Sequence, residues 1–312
     1  MSKEKIKNSI WSVLIEGIKI YFSNIDKFVL YMLFPVFGQV LGLVLIFGLT
    51  LGFSSQVTQK ANSLSSALLL IFLLAVPGLL IFLKAFWDYL VAYVALNSMT
   101  EGALMTGSVY DFQSHNEVAT RRIFKYIRLW FYVAVLSIFA TICCIIPIFG
   151  LIPPLIIWIY LILVFQVFTF EPDISAKQCF KRSFELIKGN WLRTFILMLI
   201  LGFFSIFILS EGVKVILNYL DLTTNICSLF DGIGNSLDLS EVNRGLVHFH
   251  MKPITTRMIS ETIFSTIVGC IVAGLTLPVR SICWTLWYMG LAQSDGQKKA
   301  KDKTRKKNKN ED

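Results

Sequence analysis

Residues 28–53 read FVLYMLFPVFGQVLGLVLIFGLTLGF, an apolar stretch without a single charged side chain. A helix needs about 20 mainly apolar residues to cross a hydrocarbon core about 30 Å thick. The apolar region of a secretory signal peptide is shorter, at about 7 to 15 residues. The stretch therefore predicts a retained transmembrane span, and residues 1–27 before it predict a cytoplasmic amphipathic helix.

The composition of the whole chain is that of a membrane protein. Hydrophobic residues occupy 55% of the 312 positions and charged residues 16%, whereas roughly a quarter of the residues in a soluble domain are charged. The sequence therefore predicts an all-α, polytopic transmembrane helix bundle of about six spans within residues 28–292. The apolar runs cover residues 28–53, 64–96, 127–147, 151–170, 191–209 and 263–289.

The positive charge lies between these runs, although a net charge of +9 would also suit a nucleic-acid-binding protein. With six crossings, 22 of the 29 Lys and Arg residues fall on one side of the membrane. Basic segments stay in the cytoplasm. We therefore expect a multi-pass protein of the cytoplasmic (inner) membrane with both termini in the cytoplasm, an outer loop at residues 218–259, and no nucleic-acid partner. A seventh crossing that begins at Lys84 would place the basic C-terminus outside.

The last segment, residues 293–312, carries most of its charge as Lys and Arg and has no apolar positions to bury. Such a composition predicts disorder. A basic segment just inside a last span is attracted to anionic lipid. We therefore expect membrane lipids, through anionic headgroups at the cytoplasmic face, to be partners of this tail.

Three segments that precede the first, third and fifth spans have an apolar and a polar helical face. In the third, Ser175 and Gln178 predict a capping box, and Gly189 predicts the helix end. A short helix of this kind lies in the headgroup plane. The chain then consists of three hairpins, each preceded by a cytoplasmic interfacial amphipathic helix. The residues that define the third helix are Lys177, Phe180, Lys181, Phe184, Lys188 and Trp191.

The same region, residues 174–193, reads ISAKQCFKRSFELIKGNWLR. It resembles a signature of the YciC-like family of bacterial inner-membrane proteins, which includes the membrane domain fused to some glycerophosphodiester phosphodiesterases. The resemblance implies a multi-span protein of unknown activity. It does not imply the phosphodiesterase reaction, because that chemistry resides in a separate soluble barrel.

Lys84, Asp88 and Arg280 lie well inside the apolar runs, where an ionisable side chain is costly and faces protein or water. Lys84 and Asp88 are four residues apart on one helical face. They form either a local ion pair or part of a proton or ion pathway. Arg280 follows Pro278 in the last run and is either a snorkelling anchor or a functional cation.

Four glycines of the first span are spaced for close helix packing. Gly38 and Gly42 form one small-xxx-small pair, and Gly48 and Gly52 form another. Such pairs let two helix backbones approach closely. They predict either packing within the fold or a homodimer.

No sequence motif points to a catalytic centre, a cofactor or a metal. The best candidate for a metal site is the pair His248 and His250 in the outer loop. This pair lacks the ligand spacing of a zinc site. An enzyme that acts on lipid headgroups would need these histidines to meet two acidic residues. We therefore expect a non-enzymatic protein, either a scaffold with a protein partner or one for membrane and lipid homeostasis. The alternative is a transporter or channel component in which Lys84, Asp88 and Arg280 line a polar cavity.

Overall fold

The computed structural model describes residues 9–53, 63–109, 111–144, 150, 152–236, 239–248 and 250–308. Within these ranges the regular structure is entirely helical, so the prediction of an all-α fold is confirmed. In chain order the helices are α1 (Ile10–Ser23), α2 (Ile25–Gly52), α3 (Leu64–Thr106), α4 (Phe112–Thr120), α5 (Ile123–Cys143), α6 (Ile152–Leu161), α7 (Val164–Phe170), α8 (Ala176–Ile187), α9 (Trp191–Gly202), a π-helical segment (Phe203–Ile208), α10 (Leu209–Tyr219), α11 (Leu222–Ser228), α12 (Asp231–Ser236), α13 (Ser240–His248), α14 (Thr256–Leu275) and α15 (Leu277–Asn308).

The number of spans agrees with the prediction. Within the described ranges, six helical stretches are long and apolar enough to cross a membrane. They are Ile25–Thr50, Ser65–Thr106, Ile123–Cys143, Ile152–Phe170, Trp191–Tyr219 and Thr256–Leu275.

The second span is one uninterrupted helix. Helix α3 runs for 43 residues with Pro77 inside it and does not break at Lys84. At 1.5 Å per residue it is about 64 Å long. Since the helix continues through Lys84, the structure has no separate seventh crossing in residues 64–106.

The last apolar run is divided differently from the prediction of one span at residues 263–289. Helix α14 ends at Leu275 and α15 begins at Leu277. Pro278 explains the break, because proline disfavours the helical conformation of the residue before it and cannot donate a backbone hydrogen bond. Helix α15 then continues to Asn308, through much of the tail that was predicted to be disordered. Lys, Arg, Gln and Ala, which dominate this tail, are good helix formers.

The chain forms two compact units. The first comprises Met1–Pro35, Leu83–Leu201 and Leu277–Asp312, and the second comprises Val36–Phe82 and Gly202–Thr276.

Helix α15 is at the centre of the first unit. All of its residues from 281 to 288 are buried, as expected for a helix that is covered on every side. Helix α1 packs against it so closely that a Cβ atom on Gly17 would lie 2.5 Å from the Cys283 Sγ. On another face, the Trp287 indole donates a hydrogen bond to the Thr194 Oγ1 at 3.1 Å.

The second unit has a close contact between α2 and α3. A Cβ atom on Gly42 would lie 2.8 Å from the Gly78 carbonyl oxygen. Gly38 is also buried, whereas Gly48 has no atom within 4 Å of the place where its Cβ would be. Gly52 is the last residue of α2, and its surroundings lie outside the described residues. Gly42 thus has a packing role within the fold.

His115, on α4 of the first unit, makes the stability of the protein depend on pH. It is 6% exposed, its Nδ1 lies 2.9 Å from the Ser98 Oγ, and its Nε2 has no partner among the described residues. Burial lowers the pKa of His115 from 6.5, and the Asp111 carboxylate opposes this only in part. Because the unfolded chain binds the proton more readily, stability should fall as the pH drops below 6.5.

We therefore expect the melting temperature of the wild-type protein to decrease between pH 7 and pH 5. His115→Gln should make that decrease smaller. His250→Asn, at an exposed position, should keep the wild-type profile. Identical pH profiles for the wild type and His115→Gln would show that His115 is not the titrating group.

Candidate functional site

Asn97 is the central residue of a buried hydrogen-bond network in the first unit. Its side chain is fully buried on α3. Its Oδ1 accepts hydrogen bonds from the Ser281 Oγ at 2.7 Å and the Thr285 Oγ1 at 3.0 Å, both on α15. It also accepts one from the Gln166 Nε2 on α7 at 3.3 Å. One amide therefore joins three helices.

The network determines how the Gln166 amide is oriented. The Thr169 hydroxyl donates to the Phe165 carbonyl at 2.8 Å, so its oxygen can only accept from the Asn97 Nδ2 at 3.2 Å. The Asn97 Oδ1 must then face the donors, and among these is the amide nitrogen of Gln166. The Gln166 Oε1 is directed away from Asn97. It is buried and has no hydrogen-bond partner among the described residues.

A cavity of about 270 Å³ lies next to this amide. We call it the Gln166 cavity. Its walls come from α3, α5, α6, α7 and α15, and Arg280 is the single charged residue among those that line it. Trp158, on its wall, is 43% exposed. Its lining residues are Tyr93, Val133, Ser137, Trp158, Leu161, Ile162, Phe165, Gln166, Leu277, Arg280, Ser281 and Trp284.

The Gln166 cavity lies at mid-span depth. Val133 is the central residue of the candidate span Ile123–Cys143, and Leu161 is the central residue of Ile152–Phe170. A position near the middle of two spans is about 15 Å from either surface of the hydrocarbon core. Polar groups at that depth are costly unless they are paired or functional.

Lys84 and Asp88 lie outside this cavity. The Lys84 Nζ is 2.5 Å from the Asp88 Oδ1, and the two side chains are 62% and 28% exposed. The Lys84 ammonium also lies 5.8 Å from the centre of the Phe34 ring. The structure thus places Lys84 and Asp88 in a local ion pair, whereas Arg280 lines the Gln166 cavity without them.

A second charged cluster involves Arg182 on α8. Its guanidinium is 3.0 Å from the Glu171 Oε1 and 2.8 Å from the Asp295 Oδ2. The Tyr288 hydroxyl donates to the same Glu171 oxygen at 2.9 Å. The three charged side chains are between 20% and 30% exposed. This cluster joins α8 to α15 and to the end of α7, and one guanidinium contacts both carboxylates.

Helix α8 begins as predicted but buries a different face. Both hydrogen bonds of the capping box between Ser175 and Gln178 are present. The buried face carries the small side chains of Cys179 and Ser183 together with Leu186 and Ile187, and the Ser183 hydroxyl donates to the Tyr160 carbonyl at 2.6 Å. The small residues let α8 approach the bundle closely, whereas the larger Phe184 lies at its edge. There Phe184 is 44% exposed.

The remaining residues of the predicted interfacial helix are distributed around it. Phe180 and Trp191 are half-buried, and the Phe180 ring contacts the Tyr132 ring with their centres 5.9 Å apart. The three lysines of the predicted polar face are exposed, as predicted. They are Lys177, Lys181 and Lys188.

The second unit has a larger, polar cavity of about 650 Å³ near the predicted outer loop. Its two basic residues are in local ion pairs, since Arg257 is 2.8 Å from Glu261 and Lys214 is 2.6 Å from Glu211. His248 does not line it. Among the residues that the structure describes, no group of three His, Cys, Asp or Glu side chains is arranged to hold a metal ion.

Comparisons with protein-family models, with curated proteins and with solved structures find no match to this chain.

Sequence reasoning missed Asn97 and Gln166, which organise the site. Gln166 is an uncharged polar residue inside an apolar run, and Asn97 is one that directly follows an apolar run. This was the signal that could have identified them, because an amide within a span needs a partner. Their common neighbourhood was not readable from the sequence, since Asn97 lies 69 positions from Gln166 and 184 from Ser281.

Proposed function

We propose that this protein is a non-enzymatic integral protein of the cytoplasmic membrane, with both termini in the cytoplasm, that contacts and organises lipids of the cytoplasmic leaflet. The observation that carries this proposal is an apolar stripe on α1. Trp11 and Ile15 are each 68% exposed, Phe22 is 66% exposed and Ile18 is 47% exposed. Spacings of four, three and four residues keep the four side chains on one helical face.

The other two faces of α1 determine which way the apolar stripe points. Val13, Gly17 and Ile20 are buried against the first unit. A polar face that includes exposed Glu16 and Lys19 separates the buried face from the stripe. Helix α1 is therefore attached to the bundle on one side while it presents large apolar side chains on another.

An exposed stripe of this kind is costly in water. Complete burial of one large apolar side chain contributes about 1.5–3 kcal/mol. A helix with an apolar and a charged face is stable in the headgroup plane, where the apolar side chains reach the acyl region. The basic segments before α1 and at the end of α15 add attraction to anionic lipid. Membership of the YciC-like family, which residues 174–193 suggest, is part of the same proposal.

The experiment compares neighbouring positions of α1 in the full chain without its six cysteines, reconstituted in lipid nanodiscs. Nitroxide labels are placed at Ile15 and Ile18 on the stripe and at Glu16 and Lys19 on the polar face. Labels at 15 and 18 should respond mainly to oxygen, which concentrates in the bilayer, and labels at 16 and 19 mainly to a water-soluble nickel chelate. An equal response to the nickel chelate at all four positions would refute the proposal. Low accessibility to both reagents at 15 and 18 would mean that protein covers the stripe, and would also refute it.

A second function, that of a transporter or channel component, is supported by the Gln166 cavity. Binding sites of many transporters lie near the bilayer midplane, and this cavity has Arg280 at mid-span depth. Lys84 and Asp88 do not contribute to it. Uptake or release of a solute by reconstituted vesicles, abolished by Arg280→Gln and unchanged by Lys84→Gln, would select this alternative.

A further inference from the structure

We propose that the polar cavity of the second unit binds a soluble compound that carries a primary ammonium group beside hydroxyl groups, such as an amino sugar. The cavity measures about 650 Å³, within the range of about 300–1,000 Å³ for small-molecule sites. We call it the Asp231 cavity, after the lining residue on which the inference depends. The inference goes beyond the proposed function, because lipid contact through α1 requires no ligand in the second unit.

The first argument is the charge that remains in the lining once its ion pairs are taken into account. Lys214 is in an ion pair with Glu211. The Arg257 guanidinium donates to Glu261 at 2.8 Å and interacts with Asp231 at longer range. Asp231 therefore has no ion-pair partner among the residues that the structure describes. A carboxylate in this state favours a ligand with a positive charge.

The second argument is that the Asp231 carboxylate is held in place. Ser260 on α14 is fully buried, and its hydroxyl lies 2.6 Å from the Asp231 Oδ1. The other acceptor within reach of this hydroxyl, the Thr256 carbonyl, is farther away at 3.2 Å. The Asp231 Oδ2 has no hydrogen-bond partner in the described part of the chain. A positioned carboxylate with one oxygen available suits an ammonium group, which donates hydrogen bonds as well as carrying charge.

The third argument is the uncharged polar part of the lining. Asn218, Thr224 and Ser265 line the cavity, and their side chains make no hydrogen bond to other described residues. Amide and hydroxyl groups both donate and accept, so they match the hydroxyl groups of a ligand. No three His, Cys, Asp or Glu side chains of the described ranges are arranged for a metal ion. The lining therefore favours an organic cation over a metal.

The position of the cavity favours a soluble ligand. Asn218 lies one residue before the end of the candidate span Trp191–Tyr219, and Thr256 begins the span Thr256–Leu275. The cavity extends from these span ends along α14 as far as Ser265. It thus reaches the membrane surface, where water and polar solutes are present. In the proposed topology this is the outer side, so the ligand comes from outside the membrane.

The test measures the binding of three sugars to the full chain in lipid nanodiscs by isothermal titration calorimetry. The sugars are glucosamine, at a pH where its amine is protonated, N-acetylglucosamine and glucose. The last two share the ring of glucosamine but are neutral. Glucosamine should bind about tenfold more tightly than either, because a hydrogen bond between charged groups is stronger than one between neutral groups. Equal affinity for the three sugars, or no binding of glucosamine, would overturn the proposal.

Variants assign the binding to this carboxylate. Asp231→Asn keeps the shape of the side chain and removes its charge, so the preference for glucosamine over glucose should disappear. Asp221→Asn is the matched control, since Asp221 is an exposed acid of the same unit that does not line the cavity. Its φ of 54° is one that asparagine adopts readily. An equal loss of preference in both variants would show a general attraction of cations to this surface and would contradict the site.

A second variant tests the site if Asp231→Asn does not fold. Thr224 is an exposed lining residue on α11, so Thr224→Trp fills the cavity without removing the contact between Ser260 and Asp231. Glucosamine binding should be lost, and unchanged binding would refute the location. Binding of dihexanoyl phosphatidylethanolamine in place of glucosamine would overturn the choice of a soluble ligand. None of these results depends on the label accessibility of α1, so this inference and the proposed function can fail separately.

Discussion

Gly42→Leu is expected to prevent α2 and α3 from packing, and the variant should not be recovered as a monodisperse folded protein. The Cβ of any residue at position 42 would lie 2.7 Å from the backbone nitrogen of Phe82 and 2.8 Å from the carbonyl oxygen of Gly78. Backbone atoms within a helix cannot move aside as the end of a flexible side chain can. Overpacking in a core commonly costs about 1–3 kcal/mol, and the rest of a leucine side chain adds to that cost.

Gly48 provides a matched control in the same helix. It has no atom within 4 Å of its would-be Cβ, so Gly48→Leu should give a folded protein. Gly42→Ala and Gly48→Ala separate the clash from the change in helix propensity, since the gain of about 1 kcal/mol on replacing glycine is common to both. Melting temperatures by fluorescence-detected size-exclusion chromatography measure the difference. Equal stability of the two alanine variants would show that the contact between α2 and α3 is not tight at Gly42.

Asn97→Leu is expected to lower the free energy of unfolding by about 2–3 kcal/mol, because hydrogen bonds between transmembrane helices contribute about 0.6 kcal/mol on average and up to about 1.7 kcal/mol. The substitution removes four hydrogen bonds at once, with Gln166, Thr169, Ser281 and Thr285. It also leaves buried polar groups on two other helices without their partner.

Thr100→Val is the control for this substitution. Thr100 is fully buried on the same helix, and its hydroxyl donates to the Leu96 carbonyl one turn away. Its loss should cost less than about 1 kcal/mol. Denaturation of both variants in mixed micelles measures the two free energies. If Asn97→Leu is no more destabilising than Thr100→Val, the network around Asn97 does not hold the three helices together.

The sequence predicted some local features of the candidate site, but it did not predict which distant residues lie next to one another. Lys84 and Asp88 form an ion pair because four residues bring two side chains to one face of any helix. The capping box at Ser175 is present for the same local reason. Gln166 and Arg280 line the same cavity although they are more than a hundred positions apart, and no periodicity relates two residues at that separation.

The sequence by itself determined the helical class, the six spans and the start of α8, because insertion into a bilayer depends on the apolarity of about 20 consecutive residues and capping depends on neighbours. Only the tertiary structure decided which face of α8 is buried and that Gly42, and not Gly48, contacts another helix. It also decided that Asn97 accepts hydrogen bonds from residues of α7 and α15. The physical reason is that spans are surrounded by lipid as apolar as their own side chains, so packing and hydrogen bonds between distant segments, rather than hydrophobicity, choose the neighbours.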